Sequence, residues 1–351
     1  MYIYFCLFLQ VLSSSKIFGG KNMKNAKKLL ALLLSAVMIA AFAGCGNSDG
    51  TAQSQSGEKK LKIGLVKLVD HPSLNEINDS IKAEFEKLGT NVEFIEKNAN
   101  GETSTLPSIM QSLTGAGVDM LIPIATPTAQ AASAATSAIP IVFAAVSAPI
   151  EAGLTTSLEA PDKNVTGVSD EIPVEDIFKL AQTLTPDVKT FGFFYNSSEI
   201  NSVTAVDKAK KFCDDNNIAY KEATVSTTAD IQQAASSLAN DVDAMFTPID
   251  NMVASAMPTY IDVTNKANVP VYVAADSMVK DGGFATVGIN YTLLGQQVAQ
   301  MADKILKGQK ISETPIETMR EYSNMVNMKE ADLLGIHIPE DVKANLTVLV
   351  D

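Results

Sequence analysis

The sequence predicts an α/β protein built as two doubly wound parallel-sheet lobes joined by a hinge. Three observations carry this. Short apolar runs of strand type alternate with segments of helical period, the pattern of parallel strands joined by crossover helices. The runs occur twice in the same order: Val118-Asp119 through Pro123 is echoed by Val242-Asp243 through Pro248, and Ile139-Pro140 through Ala145 by Val269-Pro270 through Ala275. The copies are in register, since Gly64 precedes Asp119 by 55 residues and Gly192 precedes Asp243 by 51. A chain of 351 residues is also long enough for two domains, and 46% hydrophobic residues supply both cores.

The first copy opens with the strand-like run Leu61 to Val66. Ser73-Leu74-Asn75-Glu76 reads as a capping box, followed by Leu74, Ile77, Ile81, Phe85 and Leu88 at helical spacing and a stop at Gly89. Asn91 to Ile95 alternates like a strand, and Leu106, Ile109, Met110 and Leu113 mark a second helix. Val118 to Ile124 and Ile139 to Ala145 are continuous apolar runs, as expected of strands buried on both faces. The second copy offers Thr190 to Tyr195, a helix marked by Val203, Val206, Ala209 and Cys213, then Val242 to Pro248 and Val269 to Ala275. Leu294, Val298, Met301 and Ile305 form a later helix ended by Gly308. The stretch Asn164–Asp170 is expected to link the copies. The first lobe then takes 61–169 plus about 290–318, and the second 170–289 plus about 319–351. The last assignment is one that the residues alone leave open.

Residues 1–44 read as an address. They hold five Lys and no acid. Leu29 to Ala43 is an apolar run interrupted only by Ser35, which fits a secretory h-region behind a Lys-rich start. The run ends Ala41-Phe42-Ala43-Gly44-Cys45, which resembles a lipoprotein signal-peptidase site with Cys45 as the acylated residue, although Phe42 stands where Leu is usual. The alternative is an ordinary signal peptide with Cys45 incidental. Met23-Lys24-Asn25-Ala26-Lys27-Lys28 is a complete start by itself, which points to translation beginning at Met23 and to 1–22 as an artefact. Residues 45–60 are rich in Gly, Ser and Gln and read as a flexible tether between a lipid anchor and the soluble body.

Composition excludes several classes. With 27 Lys+Arg against 40 Asp+Glu, the net charge of −13 lacks the basic footprint of a nucleic-acid binder. Three Cys and two His argue against a disulfide framework and a metal centre. Phosphate-loop, nucleophile-elbow and zinc-protease motifs are absent, and no cofactor is expected.

In open α/β sheets ligands sit beyond the carboxyl ends of the strands. The loops at those ends are rich in Ser, Thr and Asn and lead into helices, whose free N–H groups suit a carboxylate. The candidate ligand-binding residues are His71, Thr126, Pro127, Gln130, Ser147 and Asp170 in the first copy. In the second they are Tyr195, Ser198, Glu199, Asn201, Ser202, Asp250, Asn251 and Asp276. Asp250, Asp276 or Glu199 could accept an ammonium group, so the set suits a zwitterion. Phe143, Tyr195 and Tyr291 are placed to stack on an aromatic ligand or to pack the core. For any single hydroxyl or amide, helix capping is the competing role.

Asp70-His71-Pro72-Ser73-Leu74, Ala125-Thr126-Pro127-Thr128-Ala129-Gln130, Asn164 to Asp170, Tyr195-Asn196-x-Ser198-Glu199-x-Asn201-Ser202 and Asp250-Asn251 together resemble the ABC-transporter substrate-binding proteins of the tryptophan/tyrosine-uptake type. The likeness runs from about Leu61 to the C-terminus. The loop around Asp276 departs from the more acidic version of that pattern. The resemblance implies a type I periplasmic-binding-protein fold and an extracytoplasmic, lipid-anchored receptor. It also implies a small amino acid held between the lobes, aromatic and possibly tryptophan, and delivery to a permease driven by a separate cytoplasmic ATPase. The rival expectations are a nucleoside- or sugar-binding lipoprotein of the same fold, and an extracytoplasmic enzyme, for which no activated nucleophile is found.

Overall fold

The computed structural model describes residues 60–349; the expected signal segment, Cys45 and the tether lie outside them. Two sheets organise the chain. The first has six strands, all parallel, in the order β11-β5-β4-β3-β1-β2. Its strands are β1 (Leu61–Lys67), β2 (Val92–Asn98), β3 (Met120–Ile124), β4 (Ile141–Ala144), β5 (Val165–Ser169) and β11 (Glu317–Thr318). Helices α1 (Pro72–Leu88), α2 (Leu106–Gly115) and α3 (Thr126–Ala135) connect them.

The second sheet has seven strands in the order β13-β12-β10-β9-β8-β6-β7. They are β6 (Thr190–Asn196), β7 (Ala219–Val225), β8 (Ala244–Thr247), β9 (Val271–Val273), β10 (Ala285–Ile289), β12 (Tyr322–Asn327) and β13 (Thr347–Leu349). Its helices are α4 (Val174–Leu184), α5 (Ile200–Asp215), α6 (Ile231–Ala239), α7 (Asn251–Ser255), α8 (Met257–Lys266) and α9 (Asp276–Lys280). Helix α10 (Tyr291–Leu306) returns to the first lobe and packs along α1. The core of the second lobe is aromatic, with Phe178 in ring contact with Phe191, Phe193, Phe212 and Phe246.

The repeat has a packing cause. A Cβ on Gly64 would lie 2.8 Å from Leu121 and 3.2 Å from Leu113, and one on Gly192 would lie 3.0 Å from Leu238. Both glycines let a helix approach the first strand of its sheet. The two Val-Asp pairs are anchors: Asp119 accepts from the Lys62 N–H, and Asp243 from the N–H groups of Lys189 and Thr190, all at 2.9 Å. Each fixes the start of a neighbouring strand.

Two sequence expectations change, and the parallel-sheet reading holds with one antiparallel pair added. Asn164–Asp170 is mostly strand, because Val165–Ser169 is β5 and fully buried; the crossing between lobes follows it at Asp170–Pro173. The capping box does not form: His71 occupies the N-cap without a side-chain cap bond, and Glu76 accepts from Thr292 instead. The second sheet is parallel except where β10 meets β12. The chain reaches β12 through the hinge from β11, so it enters the sheet from the end at which the parallel strands leave. In all it crosses three times, after β5, after β10 and after β11.

Candidate functional site

The carboxyl ends of the strands meet around a small chamber. It is lined from the first lobe by His71, Ser73, Leu74, Ala125, Thr126, Ala145, Ser147 and Asp170, with Tyr291 opening α10. Asn201, Ile249 and Asn251 close it from the second lobe. The lobes touch directly here: Ser73 and Ser277 share a hydroxyl hydrogen bond, and His71 Nε2 lies 3.4 Å from Asn251 Oδ1. The closed chamber leaves only about 10 Å³ to the centre of a water molecule, room for about one water, so a larger guest enters when the lobes part. A wider vestibule of about 580 Å³ shares Asn251 with it and is lined by both lobes. Its apolar walls are Leu68, Val69, Leu106, Pro127 and Met252.

Two alanines bend the chain at the chamber. Ala125 has φ 83° and ψ 155°, and Ala145 has φ 55°. Non-glycine residues avoid these regions, and such conformations persist where the surrounding structure imposes them. The turn at Ala125 starts α3 at the chamber wall with Thr126; the N–H groups of Thr126 and Thr128 have no intrahelical acceptor, Pro127 carries no N–H, and that of Ala129 already meets Ala125 O. Free N–H groups at a helix start favour negative charge.

Asp170 is 1% exposed. Ser147 Oγ donates to its Oδ1 at 2.8 Å and the Tyr291 hydroxyl to its Oδ2 at 3.4 Å. Burial pushes it up to about 6, and no cation pairs with it among the described residues. His71 is moved the other way, down to about 4 by burial, and is neutral at pH 7.

The acidic residues of the second lobe are arranged differently. Asp250 accepts from Asn196 N at 2.6 Å, Val253 N at 2.9 Å and Ser202 Oγ at 2.8 Å. It caps α7 and ties down the β6 loop, leaving no free oxygen for a ligand. Glu199 takes five donors, from Asn251 (backbone and side chain), Asn201, Met252 and Asn196. Burial and the Asp250 charge raise it, while the donors favour its ionised form. Asp276 pairs with Lys280 at 3.2 Å.

The sequence candidates thus separate into groups. His71, Thr126, Ser147, Asp170, Asn201 and Asn251 line the chamber. Pro127, Gln130, Ser198 and Glu199 line the vestibule, where Gln130 also donates to Ala152 O at 3.1 Å. Ser202 and Asp250 stand behind the wall. Tyr195 and Asp276 line neither space; the Tyr195 hydroxyl donates to Glu222 at 3.0 Å on β7. Phe143 is core. Leu74, Ala125, Ala145 and Ile249 were not singled out from sequence. Nothing about an isolated Ala or Leu marks it as a chamber wall.

A family model described as ABC transporter substrate binding protein matches residues 62–348. The chain belongs to this family. Within this substrate-binding protein family, a "Tyrosine-binding protein" of Clostridioides difficile strain R20291 is 34% identical over 315 residues, covering 87% of this chain and 91% of its own. Among solved structures, an ABC domain in complex with L-Trp from Streptococcus pneumoniae is 35% identical, with a TM-score of 0.81, covering 83% of this substrate-binding protein and 100% of that chain. A ligand-free, open structure of a substrate-binding protein with adhesive properties from Clostridium difficile is also 35% identical, covering 82% and 99%, but its TM-score is 0.64. Identity and coverage are matched, so the difference lies in the arrangement of similar parts. It agrees with the direct contacts between lobes: this substrate-binding protein is closed.

Proposed function

We propose that the protein captures an aromatic amino acid between its lobes and presents it to a membrane permease. The observation that carries this is the Asp170 carboxylate, buried at the chamber wall with hydroxyl partners and no cation. An ammonium group supplies the missing charge. The start of α3 at Thr126 faces the same chamber and takes the α-carboxylate. The ring then extends toward the apolar part of the vestibule, between Leu68, Val69, Leu106 and Met252. Relatives that bind tyrosine and L-Trp support the choice of ring. Ligand contacts from both lobes favour the closed form over the open one, which is the state the permease would read.

The ligand leaves unaltered, and a separate cytoplasmic ATPase drives its passage. Among the described residues no helix is long and apolar enough to cross a membrane. Acylation at Cys45, which follows the signal-peptidase-like Ala41-Phe42-Ala43-Gly44, would hold the body at the extracytoplasmic face. Metabolic labelling with a fatty-acid analogue should mark the wild type and spare Cys45→Ser.

Calorimetric titration with L-tyrosine, L-tryptophan and L-phenylalanine, against nucleosides and sugars, tests the ligand class. Affinity in the micromolar range or better for at least one aromatic amino acid is expected. Binding of a nucleoside or sugar with none of the three amino acids would overturn the reading, and recovery of a chemically changed ligand would overturn its passive role.

A further inference from the structure

We propose that Glu199 is a positioning residue that sets the hydrogen-bonding polarity of the chamber and so selects ligands bearing a primary ammonium group. This rests on the chamber being the ligand site. A carboxylate accepts and cannot donate. Glu199 Oε2 takes Nδ2 of Asn251 and Nδ2 of Asn201, the latter at 3.3 Å, so both amides turn their nitrogens to it and their oxygens away.

The consequences run across the cleft. Asn251 Oδ1 faces His71 Nε2 at 3.4 Å, which places the imidazole hydrogen on Nε2. A neutral imidazole carries one such hydrogen, so Nδ1 is left as a bare acceptor. It is buried and has no partner. Asn201 is held further by donating to Ile249 O at 2.8 Å, and its Oδ1 is also buried without a partner. Both residues line the chamber beside Asp170. The residues carrying two unmet acceptors thus line one chamber with a carboxylate that no cation offsets, and unmet buried acceptors are costly. An ammonium group brings three N–H donors and a positive charge. A hydroxyl brings one donor and a carboxylate none.

The test uses the mature protein and its two histidines, His71 and the exposed His337. Nitrogen-15 NMR reads the His71 tautomer, and calorimetry compares L-tyrosine with 3-(4-hydroxyphenyl)propionate, the same molecule without its amino group. In the wild type His71 should carry its hydrogen on Nε2. In Glu199→Gln, whose amide can face either Asn, the tautomers should mix and the preference for the amine should fall about tenfold, as for loss of a hydrogen bond to a charged group. Asn201→Ala should lower the preference similarly with the tautomer unchanged, and it decides the matter if Glu199→Gln fails to fold. An Nδ1–H tautomer in the wild type, or a folded Glu199→Gln with tautomer and preference unchanged, would overturn the proposal. So would an unchanged preference in Asn201→Ala. If neither probe binds the wild type, the aromatic reading fails, while the tautomer comparison still decides the relay from Glu199 to His71.

Discussion

The Tyr291 hydroxyl meets Asp170 Oδ2 at 3.4 Å across 121 positions of sequence, so the buried carboxylate is answered by a neutral group. The cost of its charge falls on the empty protein. Unfolded, Asp170 ionises near 3.8; folded, near 6. Between those values the folded state holds the extra proton, so the stability of the empty protein falls as pH rises through this window and stays lower above it, by about 3 kcal/mol. Asp170→Asn should therefore stabilise the empty protein at pH 8 by about 2 kcal/mol while weakening amino-acid binding at least tenfold. Chemical denaturation and calorimetry at the same pH check both signs. In the wild type, affinity should drop as pH falls through about 6 and Asp170 loses its charge.

His71 gives the opposite slope. Its folded value is lowered from 6.5 to about 4, so its contribution is complete above 6.5 and is lost as pH falls toward 4. The two groups offset each other in the wild type. Asp170→Asn should unmask the His71 slope, and its denaturation midpoint should fall on acidification from pH 7 to 4.5 more steeply than that of the wild type.

Ala125 tests the backbone at the chamber. At φ 83° and ψ 155° its Cβ is strained, so Ala125→Gly should hold or raise the urea midpoint, against the usual loss for this change. Ala125→Val should cost about 2 kcal/mol or more, from strain and from crowding at a buried position. A loss of stability in Ala125→Gly would show that the turn is not under strain.

The bond between Ser73 and Ser277 is one of the direct contacts that hold the lobes together. Ser73→Ala should increase the open fraction, read as a larger radius of gyration in small-angle scattering of the ligand-free protein. Saturating ligand should restore the wild-type value, because ligand contacts outweigh one hydroxyl pair.

Gly295 marks the approach of α10 to α1. A Cβ there would lie 2.7 Å from Ser80 Cβ and 2.8 Å from Ile77 O. Gly295→Ala should cost about 2 kcal/mol of stability. Gly115, also helical, has nothing near its Cβ position, so Gly115→Ala should gain up to about 1 kcal/mol. Urea melts of the pair should move in opposite directions.

The strands were readable because burial on both faces writes continuous apolar runs such as Met120–Ile124 and Ile141–Ala144. The ends of those runs then pointed to the loops that line the cleft. What sequence could not show is how each polar group spends its hydrogen bonds. Asp250 and Glu199 carry the charge expected of an ammonium partner, yet backbone and amide donors of their own lobe saturate them. Asp170 is buried and, among the described residues, has only the hydroxyls of Ser147 and Tyr291 as side-chain partners, which the fold brings to it from 23 and 121 positions away. Ser73 has the spacing of a capping residue, but its hydroxyl is drawn away by a serine 204 positions distant.

The threefold exchange of chain between the sheets has a bearing on biogenesis. Strand β11 and helix α10 complete the first sheet's lobe from beyond residue 290, and the second closes with Thr347–Leu349. A nascent polypeptide lacks the parts to finish either half until most of it has been synthesised. Premature compaction is thereby discouraged, which keeps the chain threadable for as long as a secretion pore needs it.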